Sequence, residues 1–83
     1  MLVPDPIVGQ SIIWIDEHRR EIPALVKYVW QNGKDFPAGV NLVFISQDET
    51  RTDSAGRQTE IKTSVPHISV QVAGGYAWKH IAE

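Results

Sequence analysis

Val40-Asn41-Leu42-Val43-Phe44-Ile45 is the clearest strand in the 83-residue chain. Its β-branched and aromatic residues suit a pleated surface. The two-residue period of a strand puts Val40, Leu42 and Phe44 on one face. Val43 and Ile45, on the other face, are apolar as well. The run Gln10-Ser11-Ile12-Ile13-Trp14-Ile15 behaves the same way, with Ile12 and Trp14 opposing Ile13 and Ile15. A domain of this size has only one interior. The second face of each strand must therefore meet solvent, an arm, a loop or another chain. Apolar surface left over in this way marks an interface.

Outward from that strand, residues 46–58 hold no apolar residue except Ala55 and read as a long polar loop or a protruding hairpin tip. Residues 59–65 alternate, Thr59, Ile61, Thr63 and Val65 opposite Glu60, Lys62 and Ser64, so one face is expected buried and the other wet. Pro66 and His67 break the run. Ile68, Val70 and Val72 suit a short strand or tight turn before Gly74-Gly75, and residues 76–81 form a last strand. Towards the N-terminus, Asn32-Gly33 and Pro37-Ala38-Gly39 are turn signals. Residues 23–30 read two ways. Pro23 and Gly33 suit the start and stop of a helix, whereas Val26, Tyr28, Val29 and Trp30 favour strand, the preferred reading. Residues 16–21 are all charged or His and are expected to be an exposed connection. Pro4 and Pro6 keep residues 1–8 extended as an N-terminal arm, and residues 9–83 form a single domain. Five to six short antiparallel strands point to an all-β barrel or sandwich.

Composition narrows the function classes. The net charge is −2, and the only basic cluster, His18-Arg19-Arg20, is flanked by Asp16, Glu17 and Glu21. That disfavours phosphate backbones, which select concentrated positive charge. The chain has no cysteine, hence no disulfide, thiolate metal site or thiol nucleophile. The N-terminus lacks the basic and long apolar regions of a signal peptide, and apolar runs of four residues are too short for a membrane span. Read alone, the chain is expected to be soluble and cytoplasmic. His18, His67 and His80 fall in no metal-ligand spacing. Asp48, Glu49 and Asp53 lack the order of a calcium loop. Ser64 and Ser69 flank His67 outside any nucleophile elbow. No catalytic, cofactor or metal site is expected.

Aromatic residues remain. Trp14, Trp30 and Trp78 are many tryptophans for so small a domain. Large aromatics dominate interface energies. With the surplus strand face, they make Trp14, Trp30, Trp78, Val43 and Ile45, together with Pro4 and Pro6 of the arm, the candidate partner interface.

Residues 8–14 (Val-Gly-Gln-Ser-Ile-Ile-Trp), Pro23-Ala24-Leu25-Val26 with Val29-Trp30, Val40-Asn41-Leu42-Val43-Phe44, Thr63-Ser64-Val65-Pro66-His67 and Gly75-Tyr76-Ala77-Trp78 form an ordered pattern. It resembles a group of short proteins encoded by tailed bacteriophages and prophages, often of unassigned function. The resemblance spans roughly residues 8–78 and carries no catalytic signature. Its implied fold is a small SH3-like barrel. Its implied role is non-enzymatic: a virion-associated structural protein, such as a capsid decoration or head accessory subunit, bound to other virion proteins or to itself. The ending Trp78-Lys79-His80-Ile81 replaces the acidic tail common in that group, and residues 46–58 are longer. The alternative is an SH3/KOW-like module of the host cytoplasm that binds nucleic acid or a peptide, with Arg19, Arg20, Lys27 and Lys34 along one edge.

Overall fold

The computed structural model describes residues 4–30, 37–70 and 75–82. Seven strands form in chain order: β1 Ser11–Ile15, β2 Glu21–Trp30, β3 Gly39–Ile45, β4 Thr52–Asp53, β5 Gly56–Arg57, β6 Thr59–Val65 and β7 Ala77–Lys79. Five make one antiparallel sheet in the order β6-β3-β2-β1-β7, and β4-β5 is a separate two-stranded hairpin within the polar loop. Residues 23–30 are strand, the β-branched and aromatic preference outweighing the short helical pattern. Residues 68–70 are a turn. The Asn32-Gly33 turn signal, Val72, Gly74 and the first three residues of the arm lie outside the described residues.

One side of the large sheet is the core. Ile12, Trp14, Ile22, Ala24, Val26, Val40, Leu42, Phe44, Val65 and Trp78 are all buried there. Fully burying a side chain of this kind stabilises by roughly 1.5–3 kcal/mol. Trp14 stacks on Phe44 with ring centroids 4.2 Å apart. Trp78, fully buried, donates its indole N–H to the carbonyl of Ala38 at 3.0 Å. The His67 and His80 rings stand nearly perpendicular to it, with ring centroids 4.8 and 5.0 Å away.

The sheet is not the closed SH3-like barrel expected from the resemblance. β6 and β7 are its two edges, and no ladder joins them among the described residues. Closure needs a staggered ladder along whole strands. β7 has three residues, all matched to β1, and beyond β6 the chain meets Trp78 at a single parallel bridge from His67. Trp78 N–H reaches the Pro66 carbonyl at 2.9 Å and Ile68 N–H reaches the Trp78 carbonyl at 3.0 Å. That corner is tied, and the rest of the seam stays open. The strand count also exceeds the five to six expected, because the polar loop contributes the β4-β5 pair.

Two bulges decide which residues face out. In β2, Val26 sits opposite Leu42 and Tyr28 opposite Asn41, so Lys27 is an extra residue. Inward parity passes from Val26 to Val29, and Tyr28 and Trp30 turn to the outer face. In β6, Lys62 opposes Leu42 and Val65 opposes Val40, with Ser64 at φ 54° in the gap. The extra residue reverses the alternation. Val65 points into the core, whereas Ile61 is exposed and Glu60 and Lys62 lie on the core side. The expected burial of the Ile61 face is therefore overturned.

The connection between β1 and β2 is not the wholly exposed turn its charges suggested. Asp16 is only 2% exposed. One carboxylate oxygen accepts N–H bonds from His18 and Arg20, both at 2.9 Å, and the other accepts Nε–H of Arg20 at 2.6 Å. Arg19 takes φ 64° to complete the turn. Burial alone would raise the Asp16 pKa. The backbone and guanidinium hydrogen bonds from Arg20, the His18 N–H and the Arg20 charge together outweigh it and hold the carboxyl below the ordinary value.

Candidate docking face

The outer face of the sheet carries the surplus apolar surface. Cross-strand register aligns Leu25 of β2, Val43 of β3 and Ile61 of β6 in one row. Pro23 and Ile45 extend it on one side, Tyr28 and Trp30 on the other. Leu25, Tyr28, Trp30, Ile45 and Ile61 are 47%, 50%, 45%, 51% and 54% exposed, so large apolar groups on three adjacent strands meet water together. Scattered exposed residues need no explanation, but a contiguous set does.

The aromatic end of this face is held in place. Tyr28 and Trp30 meet edge to face at 4.6 Å. Trp30 donates its indole N–H to Asn41 Oδ1 at 2.7 Å, and that oxygen also accepts the Ser64 N–H at 2.9 Å. The indole therefore needs no polar group from a partner and presents its ring in a fixed pose. Two shallow depressions mark the face. One of about 230 Å³ includes Pro23, Leu25, Val43, Ile45 and Ile81. The other, of about 380 Å³, lies among Lys27, Tyr28, Trp30, Asn41, Ile61 and Thr63.

A third groove, of about 290 Å³, opens on the opposite side above Trp14, Phe44 and Tyr76. Lys62 Nζ lies 4.7 Å from the Tyr76 ring and 5.8 Å from that of Trp14, a cation–π arrangement. The carboxylates around it are engaged within the chain. Asp16 organises its turn. Glu60 accepts the Ser46 hydroxyl at 2.6 Å and pairs with Arg51 at 2.9 Å. Asp48 is held below its ordinary pKa by hydrogen bonds from the Thr50 hydroxyl and N–H. The indole N–H of Trp14 is buried without a hydrogen-bond partner. Among the described residues, no set of three or more His, Asp and Glu side chains is arranged to hold a metal ion. Among the described residues, Ser69 Oγ lies 2.9 Å from His67 Nδ1, a spacing that a nucleophile and base could share. That nitrogen also accepts Ser69's own N–H at 3.1 Å, and the ring is buried against Trp78, which describes a local turn.

The candidate interface residues separate sharply. Trp30, Val43 and Ile45 come together on the outer face. Trp14 and Trp78 are core residues on the other side of the sheet. Pro6 is buried, and the Pro4 carbonyl accepts a hydrogen bond from His80 Nε2 at 2.7 Å, so residues 4–6 lie against the body. Leu25, Tyr28 and Ile61 were missed. For Leu25 the signal was available, since it alternates out of phase with Ala24 and Val26. For Tyr28 and Ile61 it was hidden by the bulges. Of the basic edge considered for nucleic acid, Arg20 is paired with Asp16, and Lys34 lies outside the described residues. No helix among the described residues is long and apolar enough to cross a membrane. No family model, no curated protein and no solved structure matches the chain.

Proposed function

We propose that the protein is a non-enzymatic interaction module that docks onto a larger protein surface through the outer face of its sheet. The observation carrying this reading is the contiguous exposure of Leu25, Tyr28, Trp30, Ile45 and Ile61 across β2, β3 and β6. Large aromatic anchors packed against a partner supply most of the energy of such contacts. Here they are preorganised by Asn41, which lowers the cost of ordering them on binding. The resemblance to short tailed-phage proteins supports a virion component, such as the capsid, as the partner and the virion as the location. Docking rests on the sheet face more than on the arm, whose residues 4–6 are already held by the domain.

The test is co-sedimentation of the purified chain with assembled tailed-phage capsids, comparing wild type with Leu25→Lys/Ile45→Lys. Both positions are about half exposed, so the variant should fold. A loss of bound protein of at least tenfold is expected. Capsid binding undiminished by the double variant would overturn the reading. So would the absence of capsid binding alongside DNA or RNA binding with a steep salt dependence.

A further inference from the structure

β6 is a seven-residue edge strand. An edge presents a row of backbone donors and acceptors that invites pairing with another chain. The direction of its amides follows from antiparallel alternation. The Gln58 carbonyl accepts Ser46 N–H at 2.8 Å. Glu60 opposite Phe44 and Lys62 opposite Leu42 continue the same two-residue period. The Gln58 carbonyl, Glu60 and Lys62 therefore face β3, the Gln58 N–H turning instead to the Arg51 carbonyl at 2.8 Å, and Thr59, Ile61 and Thr63 turn their backbone groups outward. No strand covers that side among the described residues.

The side chains of this edge are self-complementary. Thr59-Glu60-Ile61-Lys62-Thr63 keeps its pattern when read backwards with the charges exchanged. If two copies align antiparallel about Ile61, that residue meets its own counterpart. Thr59 then meets Thr63 of the second copy, and Glu60 meets Lys62 of the second copy. Thr–Thr and opposite-charge pairs are favourable across antiparallel strands, and no like charges are opposed. The backbone groups turned outward in one copy face those turned outward in the other, as a narrow pair requires. On the outer face, Thr59, Ile61 and Thr63 are all exposed and available for the contact. On the inner face, Glu60 keeps its bonds to Ser46 and Arg51, and its side chain, 24% exposed, retains an approach from outside.

We propose that the protein forms a two-fold symmetric dimer by joining β6 to β6 of a second copy around Ile61. The contact is isologous and closed, so it stops at two chains. It rests on the edge alone. Its consequence, which rests on the docking reading above, is a ten-stranded sheet that presents two apolar faces side by side.

Sedimentation equilibrium of the full chain tests this. The wild type should approach twice the monomer mass as concentration rises. Ile61→Lys and Ile61→Glu each place like charges at the axis, and each should stay monomeric. Because Ile61 is more than half exposed, both should keep the wild-type circular dichroism spectrum. An equimolar mixture of the two variants should regain the dimer, and added salt should weaken it. Leu25→Lys, on the same face but two strands away, should leave the dimer intact while weakening capsid docking, so failure of either idea can be told from failure of the other. A wild type that stays monomeric at millimolar concentration would overturn the dimer. So would a mixture that remains monomeric, or a Leu25→Lys variant that dissociates as fully as the Ile61 variants.

Discussion

In β2 and β3 both faces of the sheet carry large apolar residues, and they end in opposite environments. On the inner face, Trp14, Leu42, Phe44 and Trp78 are at most 5% exposed, and on the outer face Leu25, Ile45 and Ile61 are about half exposed. Hydrophobicity did not decide which face was covered. On the inner side, the turn carrying His67 bridges to Trp78 and packs its ring against that indole. Burial on the inner face stabilises the chain. The same chemistry on the outer face leaves binding energy unspent.

The sharpest way to break this contrast is to remove a large residue from each side. Trp78→Ala should cost about 3–5 kcal/mol, the usual range for a buried aromatic. It also leaves the Ala38 carbonyl without its indole donor. For a chain of this size that is enough to unfold it, as a urea titration would show. Leu25→Lys on the other face should move stability by no more than about 0.5 kcal/mol while weakening the proposed docking. Equal destabilisation by the two would mean that the outer face is covered within the monomer.

The next effect concerns the charged turn that shields one end of the inner face. Asp16→Ala should cost about 1–3 kcal/mol in urea or thermal unfolding, since it strands the His18 and Arg20 N–H groups. The pH dependence has a definite sign. The folded pKa of Asp16 is lowered, so its stabilisation is fully present above the unfolded value of about 3.9 and is lost as pH falls through the folded value. Asp16→Asn should flatten that acid limb of the stability profile.

The smallest expected effect lies where the two faces exchange character, in β6. Lys62→Ala removes a cation from the Tyr76 and Trp14 rings and should cost about 0.5–1 kcal/mol. Thermal unfolding of wild type, Lys62→Ala, Tyr76→Leu and the Lys62→Ala/Tyr76→Leu pair would isolate that coupling. A coupling near zero would reduce Lys62 to a solvated residue and its groove to an ordinary surface depression.

Much of the inner face was legible in the sequence. The alternation of Val40, Leu42 and Phe44 is direct, and Val43 and Ile45 announced that a second apolar face existed. The places where reading failed share a cause. Each β-bulge adds one residue to a strand, and nothing in the chemistry of Lys27 or Ser64 marks it, so Tyr28 and Ile61 were assigned no outward role. Asp16 looked solvated because its neighbours are charged, and only the folded turn shows those neighbours donating to it. Whether the sheet closed depended on the length of β7 and on one bridge at His67, which are tertiary facts. Three tryptophans looked like three anchors, although burial divides them two to one.

That division has an optical consequence. Trp14 and Trp78 are shielded from water, and Trp30 is the tryptophan with nearly half its surface exposed. A small neutral quencher should therefore darken Trp30 first, leaving a blue-shifted emission from the other two. Any ligand that settles on the outer face would protect Trp30 and shift its own contribution to shorter wavelength, so the chain carries an intrinsic reporter of its own occupancy and needs no attached dye.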